Sequence, residues 1–226
     1  MSFLTYSSQK TARCFELARF FAQQRFFGFE IPGQPYLENE GSRVFQAALQ
    51  NCSFYLEYGS GGSTVLAARL KKRFISVETD RHYLTCVRRK IGELAPDQCL
   101  LHADVGLTGP WGTPFRRRAT PTRISRWIAG LEQPWRLIRH GDAPDLVLID
   151  GRFRVAATLI CCDHLKASPQ TSIFVDDYVT DSNYHPIENF ATLAGTVGRM
   201  AIFHPAPAVD LDALRIAIAH YSADWR

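Results

Sequence analysis

The chain has 226 residues, 46% hydrophobic and 21% charged, with a formal net charge of +4, ordinary values for a soluble globular protein of one large domain, or one domain with an elaborated terminus. No stretch approaches the roughly 18 consecutive apolar residues of a membrane-spanning helix, and the charge is too small to demand a nucleic-acid partner. The six cysteines, at 14, 52, 86, 99, 161 and 162, form no C-x-x-C pair and read as reduced, mostly buried thiols of a cytoplasmic protein.

Residues 1–41 form an N-terminal extension. Met1 to Phe29 is aromatic-rich and basic, without the apolar h-region and small-residue cleavage site of a secretory signal. A transit peptide is one reading of it. The preferred one is an amphipathic helix with Cys14, Leu17, Ala18 and Phe21 on one face, packed on the domain or on a second copy in a homodimer. Gly28 to Gly41, with Pro32, Gly33 and Pro35, is a loop. Ser42 then caps a short helix, Arg43 to Gln50, that opens an α/β domain over 42–226.

Strands and helices alternate from there. Strand Phe54–Tyr58 precedes a helix from Ser63 to Lys71; strand Phe74–Glu78 precedes one from Arg81 to Leu94. Strand Cys99–Ala103 leads into an irregular insert, 105–144, expected as a lid over the substrate. It carries Trp111 and the arginines 116, 117, 118, 123 and 126. Strand Leu146–Asp150 precedes the helix Phe153–Lys166, and strand Ser172–Asp176 a helix from Pro186 to Leu193. A strand, Arg199–His204, and then Leu211–Tyr221, a helix or a further edge strand, close the chain. Alternation of this kind predicts a Rossmann-like, mostly parallel sheet with helices on both faces. Cys161-Cys162-Asp163-His164 falls in the periodic apolar pattern of a core helix, which outweighs a zinc reading.

Ligands of parallel sheets bind beyond the carboxyl ends of the strands, and here those ends carry Glu57, Glu78, Asp104, Asp150, Asp176 and Asp177. Carboxylates gathered at one edge repel each other unless a ligand or cation uses them. The first strand runs into Glu57-Tyr-Gly-Ser-Gly-Gly-Ser-Thr64, a glycine turn opening a helix. Thr64 stands where a dinucleotide fingerprint has its third glycine, and Glu57 disfavours a pyrophosphate. S-adenosylmethionine, with its sulfonium, ammonium and carboxylate groups, suits an acidic residue beside a helix N-terminus. Glu78, about 20 residues beyond the loop, is a bidentate acceptor matched to the ribose diol. Asp80 reads as the cap of the next helix.

E-Y-G-S-G-G-S-T, I-S-V-E-T-D (75–80), H-A-D-V (102–105) and D-L-V-L-I-D-G (145–151) together resemble the ordered motifs of class I S-adenosylmethionine-dependent methyltransferases, over about residues 42 to 205. The resemblance implies that Gly59, Ser60 and Gly61 line the methionine part, that Glu78 binds the ribose, and that Asp104 and Val105 meet the adenine; Glu57, Ser63 and Thr64 of the same turn are expected to complete the cofactor contacts. Asp150-Gly-Arg-Phe-Arg154 and V-D-D-Y (175–178) are similar to the metal-dependent macrolide-sugar and catechol-type O-methyltransferases. That similarity implies that Asp150, Asp176 and Asp177 bind magnesium, with Asp150 catalytic; Arg152 and Arg154, by the chemistry of their guanidinium groups, are expected with Tyr178 to contact a small, acidic acceptor. Arg152 and Arg154 depart from those families. Salt bridges among Asp150, Arg152, Arg154 and Asp177 are the alternative to a metal. The Asp-Pro-Pro-Tyr type of motif used in base amino-methylation is absent. The expected activity is therefore O-methylation of a small molecule, with magnesium assisting. The alternatives are an S-adenosylmethionine-binding module without catalysis and an NAD-dependent oxidoreductase.

Overall fold

The computed structural model describes residues 14–139 and 141–226. The first thirteen residues, and with them the start of the expected N-terminal helix, lie outside the described residues. Within them α1 covers 14–22 and runs into a π-helical turn, Gln23–Phe27.

Seven strands form one sheet in the order β3-β2-β1-β4-β5-β7-β6. These are β1 (Phe54–Tyr58), β2 (Arg73–Glu78), β3 (Gln98–His102), β4 (Leu146–Ile149), β5 (Ser172–Val175), β6 (Ala191–Val197) and β7 (Met200–Pro205). The first five are parallel; β7 is antiparallel to both of its neighbours. Period-two alternation sends Leu56, Tyr58, Val147 and Ile149 into one apolar layer and Tyr55, Leu146 and Leu148 into the other. Helices cover both layers, which is why the central strands read as continuous apolar runs. The first layer takes α5 (Pro121–Leu131), α6 (Arg154–His164) and α7 (Leu211–Tyr221). The second takes α2 (Asn39–Asn51) and α3 (Gly62–Arg69), with α4 (Arg81–Ile91) beside them.

Three sequence expectations are corrected here. First, α2 starts at Asn39, so Ser42 lies inside it and donates its N–H to Glu38 O at 2.7 Å. Second, the helix expected over Pro186–Leu193 is a short 3₁₀ stretch, Ser182–Asn189, and Leu193 belongs to β6. Gly198, with φ of +57°, turns β6 into β7, a hairpin whose outer strand exposes most of its side chains. Third, the expected irregular insert contains α5. Thr120 accepts the Arg123 N–H and Pro121 takes the first turn, a helix start signal in its own right. Trp127 and Leu131 are buried in the core, each contributing about 1.5–3 kcal/mol by burial. The chain from 105 to 120 is left as the limb that reaches the carboxyl edge of the sheet. Cys161 and Cys162 are buried in α6 as core residues, and all six cysteines are unpaired.

Candidate active site

Strand order reverses between β1 and β4, and crevices for ligands open at such points. Here two turns meet. Gly59 follows β1 with φ of +106°, and a Cβ placed on it would come within 2.5 Å of Gly151 N. A side chain at 59 would part the two turns, and an L-residue there would be strained as well. Gly62 opens α3 under the carbonyl of Gln34, which a Cβ would approach to 1.8 Å. The loop after α1 therefore rests directly on the start of α3.

Glu57 holds this turn from beneath. Its carboxylate is fully buried and accepts hydroxyls from Ser63, from Thr64 at 2.5 Å and from Ser76 at 2.8 Å. Thr64 Oγ1 in turn accepts the Gly61 N–H at 2.9 Å, and Ser60 pairs with Ser76 at 2.7 Å. Burial pushes the Glu57 carboxyl above its ordinary value, and the three hydroxyls counter the rise. A carboxylate saturated inside the fold offers nothing to a cationic ligand. The expected ligand contact is corrected to a brace for the glycine turn and the first turn of α3.

Glu78 closes β2 and faces the other way. Its Oε1 accepts the N–H groups of Thr79 at 2.7 Å and Asp80 at 2.9 Å, while Oε2 makes no hydrogen bond among the described residues. Burial raises this carboxyl to about 7, the two backbone donors opposing the rise and Asp80 adding to it. Asp80 caps α4 through the His82 and Tyr83 N–H groups. Glu78 lines a cavity with Tyr58, Gly59, Val77, Thr79, Ala103, Leu131, Gly151 and Arg152. In this conformation the cavity is about 10 Å³, room for about one water.

Its roof is the 108–114 turn of the insert. Thr79 donates to Gly112 O at 2.9 Å, so Gly112 sits directly over Glu78. Gln24, buried at the end of α1, places its Nε2 2.6 Å from Asp80 Oδ2 and 3.2 Å from Thr108 Oγ1. One side chain thus ties the end of the N-terminal helix, the turn after β2 and the roof together. Nothing in the composition of residues 1–41 marks Gln24 for this; only the fold brings it there.

Asp104 and Val105 are not brought to the cavity. The Asp104 side chain is 61% exposed and accepts the Gly106 N–H at 2.9 Å. Val105 is buried, its carbonyl taking the Trp127 indole N–H at 3.2 Å. Ala103 and Leu131 stand at the wall where those two were expected, because α5 folds back against it.

The aspartates beyond β4 and β5 are held by arginines. Arg154, 4% exposed, reaches Asp150 Oδ1 at 3.2 Å and Asp177 Oδ2 at 2.9 Å, and donates to the carbonyls of Asp176 and of Gly151. Arg199, from the β6–β7 hairpin, pairs with Asp176 at 2.8 Å and Asp177 at 2.9 Å. Two fixed guanidinium groups already pair with all three carboxylates that would hold a divalent cation, and no group of three potential ligands is poised for a metal among the described residues. The residues present do not fit the expected magnesium site; salt bridges join Asp150, Arg154 and Asp177 as the alternative had it, but Arg152 makes none and Arg199, which sequence alone could not supply, takes its place. Asp150 keeps 29% of its side chain exposed, yet is ringed closely enough that burial lifts its carboxyl to about 8. Arg154 pulls against that rise, and Asp176 and Asp177 add to it.

The expected acceptor contacts separate. Arg154 is consumed by its carboxylates. Tyr178 turns away, packs on Phe203 and donates its hydroxyl to Glu188, which with burial raises its pKa. Arg152 alone faces the cavity.

Among solved structures, a methyltransferase-like protein from Silicibacter pomeroyi is 27% identical, over 85% of this chain and 99% of its own, with a TM-score of 0.69. By its fold the chain belongs to the class I methyltransferase superfamily. An O-methyltransferase from Bacillus cereus in complex with SAH is 16% identical over 81% of this chain and 95% of that one, with a TM-score of 0.46. A cofactor-bound Rv0187 from MTB is 17% identical over 84% and 88%, with a TM-score of 0.47. Both are too distant to bear on the site. No protein-family model matches the sequence, and no curated protein does. The methyltransferase fold accounts for the sheet order and for the crevice between β1 and β4. No helix among the described residues is long and apolar enough to cross a membrane.

Proposed function

We propose that this chain binds S-adenosylmethionine in the crevice between β1 and β4 and transfers its methyl group to an oxygen of a small molecule. The observation that carries the reading is the convergence on one cavity of the glycine turn after β1, its partner turn at Gly151 and the Glu78 carboxylate. Glu78 has one oxygen anchored by backbone and the other free to accept from a ribose hydroxyl, a charge-assisted bond. The turn at Gly59 to Gly61 lets backbone approach the donor closely, and Glu57 fixes that turn without touching the ligand.

When bound, the donor supplies a methyl carbon on an activated sulfonium leaving group. The protein is left with positioning and proton removal. Asp150 stands at the end of β4 beside the glycine turn, partly exposed and with its proton affinity raised by burial; in its ionised form it is placed to take the proton of an acceptor hydroxyl. Arg154 orients it by direct contact. Arg152 and the roof turn at 110–112 crowd the cavity, so a nucleoside enters as they move aside.

A homodimer through α1 and the π-helical turn after it stays part of the proposal, since Phe15, Phe26 and Phe27 are exposed there, and sedimentation equilibrium would show it. The unpaired cysteines fit a reducing, cytoplasmic setting. Calorimetric titration with S-adenosylhomocysteine and with NAD tests the donor: binding is expected for the first alone. Tight NAD binding without a response to S-adenosylhomocysteine would instead favour an oxidoreductase. Donor binding with no transfer to any hydroxylated acceptor in a labelled-methyl screen would leave a binding module.

A further inference from the structure

Three arginines stand around the aspartates beyond β4 and β5, and they are not equivalent. Arg154 and Arg199 are matched to carboxylates at 2.8–3.2 Å. Arg152 has no carboxylate within 4.0 Å and makes no hydrogen bond to protein among the described residues, although its Nε is buried. It lines the cavity with Glu78 and follows Asp150 by two residues, and it is bonded to neither. Asp150 is already turned to Arg154, and the anchored oxygen of Glu78 to backbone.

A guanidinium carries five N–H donors in a planar fork and cannot escape its charge by deprotonation. Arg152 is half-buried, and leaving its buried Nε donor without a partner costs free energy. Burial and the neighbouring Arg154 both press against its charged form. A group kept in that condition on a cavity wall is complementary to an anion that arrives with the ligands.

We infer that Arg152 is the anion-binding group of the active site, taking a carboxylate or phosphate of a bound ligand in a bidentate grip. The inference rests on the methyl-transfer reading above and extends it to the chemistry of what is bound. Two ligands can bring the anion: the methyl donor, through its own amino-acid carboxylate, or an acidic acceptor. Arg154 is excluded from the role by its saturation, and the exposed arginines at 116 to 118 by their distance along the insert from the cavity lining.

The experiment uses full-length protein, Arg152→Met and Arg152→Lys, with Arg116→Met as a surface control and thermal midpoints to confirm folding. Each is titrated calorimetrically with S-adenosylhomocysteine, which carries the carboxylate, and with 5′-methylthioadenosine, which lacks it. Benzoate and inorganic phosphate are then titrated into S-adenosylhomocysteine-saturated protein. If the donor supplies the anion, Arg152→Met loses at least tenfold in affinity for S-adenosylhomocysteine and little for methylthioadenosine. If the acceptor supplies it, donor affinity is kept, and millimolar binding of benzoate or phosphate to the loaded wild type disappears in Arg152→Met. Arg152→Lys falls between in either case. Equal affinities of wild type and Arg152→Met for every probe, or uniform losses on methylthioadenosine and S-adenosylhomocysteine alike, overturn the inference. Failure of the wild type to bind S-adenosylhomocysteine at all would overturn the methyl-transfer reading first, and this one with it.

Discussion

Replacing Glu78 by glutamine separates what this residue costs the fold from what it does for a ligand. The carboxyl is 8% exposed, and burial raises its pKa from 4.5 to about 7. At about 1.36 kcal/mol for each tenfold change in proton affinity, holding it ionised inside the fold costs roughly 3 kcal/mol relative to the unfolded chain. Because the folded value lies above the unfolded one, the folded state binds the proton more tightly. The group's contribution to stability is greatest below pH 4.5, declines as pH rises from there through 7, and is flat above. Glutamine mimics the protonated acid: its carbonyl still accepts the Thr79 and Asp80 N–H groups, and it does not titrate. Glu78→Gln should therefore match the wild type near pH 4.5 and exceed it by about 2–3 kcal/mol at pH 8. Urea denaturation at both pH values, with m-values checked for constancy, measures the gap. In the same variant, S-adenosylhomocysteine affinity should fall about 10- to 100-fold, through loss of a charged acceptor for the ribose. A variant less stable than the wild type at pH 8, or a gap that does not change with pH, would refute the account of Glu78 as a buried, penalised carboxylate.

Arg154→Met should destabilise the protein by about 3–5 kcal/mol, because it strips Asp150 and Asp177 of a buried partner; thermal unfolding of a folded but weakened variant would show this, and a change below about 1 kcal/mol would contradict it. Gly62→Ala should cost at least about 2 kcal/mol, since the new Cβ meets the Gln34 carbonyl and not a movable side chain; chemical denaturation reads this directly, and wild-type stability would mean the 28–38 loop is not seated on α3. Magnesium should leave the thermal midpoint and S-adenosylhomocysteine affinity of the wild type unchanged, while a saturable rise in either would restore a cation to the aspartates. Gln24→Leu should raise protease sensitivity of the 105–120 limb, measured by limited proteolysis, and an unchanged cleavage pattern would remove Gln24 from holding the roof.

The central sheet was readable because its strands are short apolar runs bounded by turns, with a carboxylate at or within two residues of each carboxyl end. The outer hairpin was not. β6 pairs with a single strand and exposes most of its side chains, so burial leaves little trace in its composition, and Pro186 drew the helix assignment past its true end. α5 was legible in Thr120-Pro121 and the spacing of Ile124, Trp127 and Leu131, but the arginines around it suggested a solvated loop. Glu57 was misread for a physical reason: an acid before a glycine turn suits either a ligand or the turn itself. The deciding hydroxyls, Ser63 and Thr64, lie one strand end and one helix turn away. Arg199 could not be found at all, because its meeting with Asp176 depends on a hairpin that sequence spacing does not encode.

Gln24 gives the N-terminal helix a thermodynamic stake in whatever occupies the cavity. Any ligand that favours the roof turn in its closed position also favours the docked position of α1, and by reciprocity docking of α1 tightens that ligand by the same factor. A ligand that must lift the roof reverses the sign and loosens the helix as it binds. Residues 14–27 are thereby a remote partner in binding, and the affinity measured for a shortened chain would belong to a different equilibrium from that of the whole.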